Sequence, residues 1–267
     1  MQIELQDDWN SYLCRVKNKS ASIFVDLALN KNAPDSKRPH LLIIWLYLNN
    51  PNPENGLSTQ AEFDKLIKIE DNLIPAIRNK YSAIFSGRIT NDGRREFYLY
   101  SSSVDGFVAT VEQVFKDFND YKYDAWSVED AEWSQYINLL YPNQQILSSI
   151  ADERVVSNLV ERGDLLEVAR EINHWSYFGC VEDRNFFEIK IKKLGFQVTS
   201  RLNAKSASER YGLVYYKLQT AEIEKISLTT ALLEAESKSH NGEYDGWESP
   251  VTKTAVQKTW WQFWKRN

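Results

Sequence analysis

The chain has 267 residues, 43% hydrophobic and 26% charged, with 32 Lys and Arg against 37 Asp and Glu for a formal net charge of −5. That is globular composition and excludes a wholly disordered or fibrous chain. The longest apolar run, Leu41 to Leu48, is far short of the roughly 18–20 residues of a membrane span, and the opening MQIELQDDWN lacks the basic-then-apolar pattern of a secretory signal, so a cytoplasmic protein without stable membrane insertion is expected.

In chain order, residues 11–17 and 20–29 read as strands, the second alternating through Ile23, Val25, Leu27 and Leu29. Residues 41–48 are apolar on both faces, as a central strand is. After a polar loop, Thr59-Gln60-Ala61-Glu62 has the form of a capping box. It opens a helix with Phe63, Leu66, Ile67, Leu73, Ile74 and Ile77 near one side, which Pro75 ends or kinks. Alternation from Tyr81 to Ile89, the turn Asn91-Asp92-Gly93 and a return over 95–100 predict a hairpin. A helix over 107–118 places Phe107, Val108, Val111, Val114, Phe115 and Phe118 on one face. A strand over 123–128 and a helix over 131–140 end this half.

The second half opens with helical sequence over 144–162, where Asp152 is a candidate cap for a second segment and Gly163 the stop. Residues 172–178 read as a strand. Residues 182–194 read as a helix with Phe187, Ile191 and Leu194 inward and Gly195 closing it. Strands over 196–202 and 211–218, a helix over 221–239 and an edge strand or loop over 244–247 follow. Each half thus shows strand–helix–strand–strand–helix–strand fragments, and Tyr123-Asp124-Ala125-Trp126 is echoed by Tyr244-Asp245-Gly246-Trp247. The expected fold is α+β: two tandem ferredoxin-like α/β sandwiches with antiparallel sheets. The expected division is 1–140, 141–251 and a basic aromatic tail, 252–267.

Little in the sequence carries bond-making chemistry. Two cysteines, Cys14 and Cys180, set no disulfide framework and are expected to stay reduced. Three histidines, His40, His174 and His240, form no ligand pair, so no metal site or cofactor is expected. No phosphate-binding glycine loop or nucleophile elbow occurs. His174 in HWSYF would need an orienting carboxylate to act as a base; a small hydrolase using it is the alternative from the enzyme class. Trp45, Trp175 and Phe187 are expected in the core, whereas Tyr98 and Tyr100 could imitate a base-stacking sheet face. Residues 141–250 carry 17 acids against 13 bases, whereas 251–267 carry four bases and no acid. An acidic body lacks the electrostatic footprint of direct nucleic-acid binding and suits a basic partner. The tail's Trp260, Trp261, Phe263 and Trp264 among cations fit docking on the body, a partner groove as in an immunity-type protein, or a membrane surface.

The second half is also recognisable. DERVVSNLVERGD (Asp152–Asp164), REINHWSYF (Arg170–Phe178), EDRNFF (Glu182–Phe187), LGFQV (Leu194–Val198), YGLVYYK (Tyr211–Lys217) and NGEYDGWESPV (Asn241–Val251) together resemble the regulator of ribonuclease E activity B family over about residues 141–251. The first half resembles, more loosely, a bacterial domain family of unknown function that often precedes such a domain. The resemblance implies a non-enzymatic regulator of ferredoxin-like fold that binds an RNase E-like endoribonuclease and so restrains RNA turnover. For the partner surface it directs attention to Glu182, Asp183, Tyr244, Asp245, Trp247 and Glu248. The acids would pair with arginines and the rings would offer contact area. Alternatively, Tyr244 and Trp247 pack the last strand on its helix, Asp245 caps the Gly242–Gly246 turn, and Glu182 and Asp183 serve the helix dipole.

Overall fold

A computed structural model describes residues 6–206 and 208–253, and the chain divides between Asn143 and Gln144 into two units. The tail residues Trp260, Trp261, Phe263 and Trp264 lie outside the described residues.

In the first unit the strands are β1 (Trp9–Val16), β2 (Lys19–Asp26), β3 (His40–Tyr47), β4 (Ile84–Asn91), β5 (Arg94–Ser101) and β6 (Tyr123–Glu129); the helices are α1 (Gln60–Tyr81) and α2 (Phe107–Phe115). They form one antiparallel sheet ordered β1-β2-β4-β5-β3-β6. Its last four strands have the order and crossovers of a ferredoxin-like sandwich, extended on one side by the β1–β2 hairpin. Strand alternation sends Leu42, Ile44 and Leu46 of β3 to the helix side, where they join Leu66, Leu73 and Ile77 of α1 and Val111 and Phe115 of α2 in the core. Each such side chain, fully buried, contributes about 1.5–3 kcal/mol.

Several local expectations are corrected. The capping box is not made. Glu62 is buried and accepts the backbone N–H groups of Asn49 and Asn50, at 2.8 and 3.1 Å, while Thr59 Oγ1 donates to the Asn50 carbonyl. Pro75 does not end α1, which continues to Tyr81 and closes on Ser82 at φ +48°. The buried stripe of α1 runs through Ile69 rather than Phe63 and Ile67, and Val108 of α2 is also exposed. The helix expected over 131–140 shrinks to a short segment with a π-helical turn, Tyr136–Leu140.

That short segment covers the second face of the first sheet. Trp133 is fully buried with its ring stacked on Tyr100 at 4.0 Å, and its Nε1 donates to the Arg38 carbonyl at 3.0 Å. Tyr100 donates to Asp130 at 2.6 Å, and Tyr136 donates to the Asp26 carbonyl at 2.9 Å. Tyr98 and Tyr100 are therefore buried and offer no stacking surface to a base.

The second unit contains α3 (Gln144–Glu161), β7 (Arg170–Phe178), α4 (Val181–Lys193), β8 (Gln197–Leu202), β9 (Tyr211–Gln219), α5 (Ile223–Ser239) and β10 (Gly242–Glu248). Its antiparallel sheet is ordered β10-β7-β9-β8, the ferredoxin-like arrangement in full. Phe178, Phe187, Ile191, Leu213, Tyr215 and Leu233 fill one part of its core. The two YDxW stretches occupy β6 and β10, which are the equivalent last strands and both lie at sheet edges.

Truncating Trp133 removes both the stack on Tyr100 and the bond to Arg38. Trp133→Ala is expected to destabilise the first unit by about 3–5 kcal/mol. Amide hydrogen exchange across β3 and β5 in the full chain reads this as faster exchange there, with β7 and β9 unaffected.

Candidate partner-binding surface

β10 carries most of the residues singled out for a partner, and buried polar groups beneath it fix where they point. Asp152 lies within the continuous helix α3, not at a cap. Its buried carboxylate accepts Thr230 Oγ1 of α5 at 2.6 Å and Trp247 Nε1 of β10 at 2.8 Å. Burial pushes this carboxyl upward, and the two bonds oppose that push. A buried carboxylate without donors would be costly, so these bonds fasten α3, α5 and β10 together. Trp247 also packs with Leu159, Ile172 and Ile226. Tyr244 joins the neighbouring part of the core and meets His174 Nδ1 through its hydroxyl at 2.9 Å.

His174 is fully buried against Phe196 and Tyr215. Burial, and secondarily the charge of Lys217, hold its pKa down to about 3, so the ring is neutral at physiological pH. Nε2 has no hydrogen-bond partner, and Nδ1 meets a tyrosine hydroxyl rather than a carboxylate. This imidazole lacks both the solvent access and the orienting carboxylate that a general base requires.

Strand pairing at β10 shifts between Tyr244 and Gly246, and this bulge places Tyr244 opposite Ser176, Gly246 opposite Trp175 and Trp247 opposite His174. Tyr244 and Trp247 therefore face the helices, while Glu243 and Glu248 face away from them. Tyr244, Asp245 and Trp247 line a groove of about 360 Å³ with Asp152 and Glu234. Tyr244 also borders a wider hollow of about 730 Å³ with Glu234, Glu243, Arg210 and Lys238. Asp245 and Glu248 are exposed.

Glu182 and Asp183 stand in the first turn of α4, where carboxylates complement the helix dipole. Asp183 accepts the Cys180 thiol at 3.2 Å and Asn241 Nδ2 at 3.4 Å, which brings the start of α4 beside the start of β10. Glu248 ends the same seven-residue strand, about 20 Å away at full extension. The six residues thus line a strip along one edge of the sheet and converge on no single point.

The structure adds a surface that the sequence reading placed elsewhere. Phe187 is buried as expected, but Trp45 and Trp175 are only half-buried. Along β7, Ile172, His174, Ser176 and Phe178 turn to the helices, so Asn173, Trp175 and Tyr177 stand on the opposite face, where Val214 and Tyr216 of β9 join them. The signal lay in HWSYF itself, whose strict alternation assigns Trp175 and Tyr177 to one side together. Among the described residues no cluster of three or more His, Cys, Asp or Glu side chains could hold a metal, and no helix is long and apolar enough to cross a membrane. Cys14 and Cys180 are free thiols.

Comparison with known proteins adds the following. Residues 7–141, just over half of the chain, match the model of a family of unknown function, DUF695. Residues 149–249 match the model described as regulator of ribonuclease activity B. No curated protein matches the chain. Among solved structures, an unknown protein from Galdieria sulphuraria aligns over 80% of this chain and 99% of its own, at 8% identity and a TM-score of 0.21.

Two measurements probe the polar layer under β10. His174 binds its proton far more weakly folded, at about 3, than unfolded, at about 6.5. Its contribution is therefore intact above the unfolded value and drains away as pH falls between the two. Urea unfolding by circular dichroism is expected to show stability dropping by up to about 1.4 kcal/mol per pH unit in that window, and His174→Gln flattens the slope. Trp247→Phe removes one donor from Asp152 and is expected to cost about 1–3 kcal/mol, measured by the same unfolding at neutral pH.

Proposed function

The chain belongs to the DUF695 family, and from that premise, with a second unit that matches regulator of ribonuclease activity B, we propose that it is a non-catalytic, protein-binding regulator of an RNase E-type endoribonuclease. It acts in the cytoplasm and restrains RNA turnover by occupying the ribonuclease, without cutting RNA. The match over 149–249 is the observation that carries this reading. The chemistry of the second unit supports it. Two of its buried titratable groups, His174 and Asp152, are engaged in internal bonds to Tyr244, Thr230 and Trp247. Asp245 and Glu248 on β10 and Glu182 at the start of α4 are exposed, with Asp183 half-buried beside Glu182, and carboxylates of this kind suit a basic segment.

Carboxylates on an exposed rim attract guanidinium and ammonium groups through charge-assisted hydrogen bonds. They steer association and set specificity more than they set raw affinity. The same charges repel a phosphate backbone, so the ribonuclease itself is the partner and RNA is not bound directly. Each rim pair is worth only about 0.2–1 kcal/mol, so affinity depends on several acting together and weakens with salt.

The test is cleavage of a 5′-labelled RNA by a purified RNase E-type enzyme carrying its basic non-catalytic region, with and without the full chain. Cleavage is expected to slow in step with complex formation measured by calorimetry. Asp245→Asn, Glu248→Gln, Glu182→Gln and Asp183→Asn combined are expected to weaken the complex roughly tenfold or more. An unchanged cleavage rate at saturating protein, with no heat of binding, overturns the proposal.

A further inference from the structure

All the helices of the second unit lie on one side of its sheet, and among the described residues the other side is bare. Register defines that bare side row by row. Glu243, Tyr177, Gly212 and Leu202 form one row; Gly246, Trp175, Val214 and Ser200 the next; Glu248, Asn173, Tyr216 and Gln197 a third; Glu171 and Leu218 lie beyond. Trp175, Tyr177 and Tyr216 are half-buried, so each ring keeps an accessible part. Gly212 is a fitted position, because a Cβ there would meet both Tyr177 Cε1 and Leu202 Cδ1 at 3.0 Å. Its absence lets the Tyr177 ring lie across the strand. A Cβ on Gly246, by contrast, would meet nothing within 4 Å, which leaves the β10 side of Trp175 open.

At one corner the chain's own side chains display a binding mode. The Arg210 guanidinium stands 5.9 Å from the Tyr177 ring centre, donates to Glu243 Oε2 at 2.7 Å and donates to the Tyr177 carbonyl at 3.2 Å. Ring, carboxylate and carbonyl thus receive one arginine together, which is the combination of cation–π attraction and charge-assisted hydrogen bonding that favours guanidinium over ammonium. Among the described residues no cation lies over the remaining rings, Trp175 and Tyr216, and carboxylates share their face of the sheet. Glu248 is on the same face one pair along from Trp175, and Glu171 is at the far end of β7.

We infer that this bare face binds an extended, arginine-rich segment of a protein partner, with Trp175 and Tyr216 taking guanidinium planes and Glu171 and Glu248 taking their charge. Same-face residues along β7 recur about every 6.7 Å, as alternate side chains do along an extended peptide. Trp175 on β7 and Tyr216 on β9 lie one such step apart on neighbouring strands, about 8 Å diagonally once the strand spacing is included, so arginines at alternate positions of a segment laid obliquely across the two strands reach both rings. A single strand of RNA could stack bases on the same rings, but its phosphates would face Glu171, Glu243 and Glu248 with Arg210 already paired. The inference rests on the reading of this unit as a protein-binding regulator, and it names the surface and the partner's chemistry.

A fluorescein-labelled peptide of alternating Arg and Ser, titrated with the full chain by anisotropy, is the direct probe. The expected result is saturable binding that Trp175→Ala weakens by about tenfold or more and that Glu171→Gln with Glu248→Gln weakens about three- to tenfold. The acidic variant alters only exposed side chains, so an unchanged unfolding midpoint separates lost binding from lost folding. The lysine version of the peptide should bind several-fold more weakly. Equal binding of the lysine peptide, or full binding by the acidic variant, overturns the inference. So does tighter binding of single-stranded RNA that depends on Trp175, or stronger competition by a synthetic peptide of residues 254–267. The two readings fail separately. Undiminished restraint of ribonuclease by the acidic variant removes this face and leaves the regulator intact. Peptide binding without any effect on ribonuclease removes the regulator and leaves the face.

Discussion

A pleated strand sends successive side chains to opposite faces, and one additional residue in β10 resets that alternation. Tyr244 and Trp247 are three positions apart and would face opposite ways in a regular strand. The shift between Tyr244 and Gly246 turns both toward the helices. There the Trp247 indole meets the buried Asp152 carboxylate and the Tyr244 hydroxyl meets His174. The carboxylates Glu243 and Glu248 are left on the other side. In β6, which has no such shift, the equivalent tetrapeptide behaves differently. Tyr123 packs in the core, while Trp126 pairs opposite Ile43 and lies edge-on to Trp45 at 4.9 Å on the far face. The same four letters thus give one inward tryptophan and one outward.

Much of the architecture was legible because it depends on periodicity. The strand–helix order in both halves, the inward Phe187 and Ile191, the stop at Gly195 and the hairpin turn at Asp92-Gly93 all follow from local patterns that the tertiary structure leaves intact. What was not legible depends on distant partners. Glu62 has the right spacing from Thr59 for a capping box, yet two amides of the preceding loop take its carboxylate. Asp152 resembles a helix start because aspartate usually avoids helix interiors. Here a threonine 78 positions away and an indole 95 positions away compensate for its burial. Pro75 leaves α1 continuous, a context effect that propensity alone does not anticipate.

The candidate surface was legible in composition, and the orientation of Tyr244 and Trp247 follows the packing alternative. Tyr244 and Trp247 belong to the strip along the sheet edge, but their polar atoms are engaged with the interior, so the groove sees mainly the flanks of their rings. The sequence assigns Trp175 to the core because its ring falls on a predicted apolar face. The alternation of its neighbours, with Ile172, His174, Ser176 and Phe178 buried on the helix side, places it outward instead. Residue type alone could not separate Trp175 from Trp133. The first lies on a sheet face that no helix of its unit covers among the described residues, whereas the second is clamped between Tyr100 and the Arg38 carbonyl.

The segment over 130–141 that seals the back of the first sheet has a further consequence for inheritance of change. In the first unit, Tyr100 is locked under Trp133 and Tyr136, and Tyr98 is buried on the same strand face with its hydroxyl on Glu96, so replacements there strike at folding. In the second unit, the corresponding positions of the sheet have no such lid among the described residues, and replacements there alter what the surface can hold while sparing the fold. A saturation scan would draw opposite maps on matching strands, intolerant in one copy and permissive in the other.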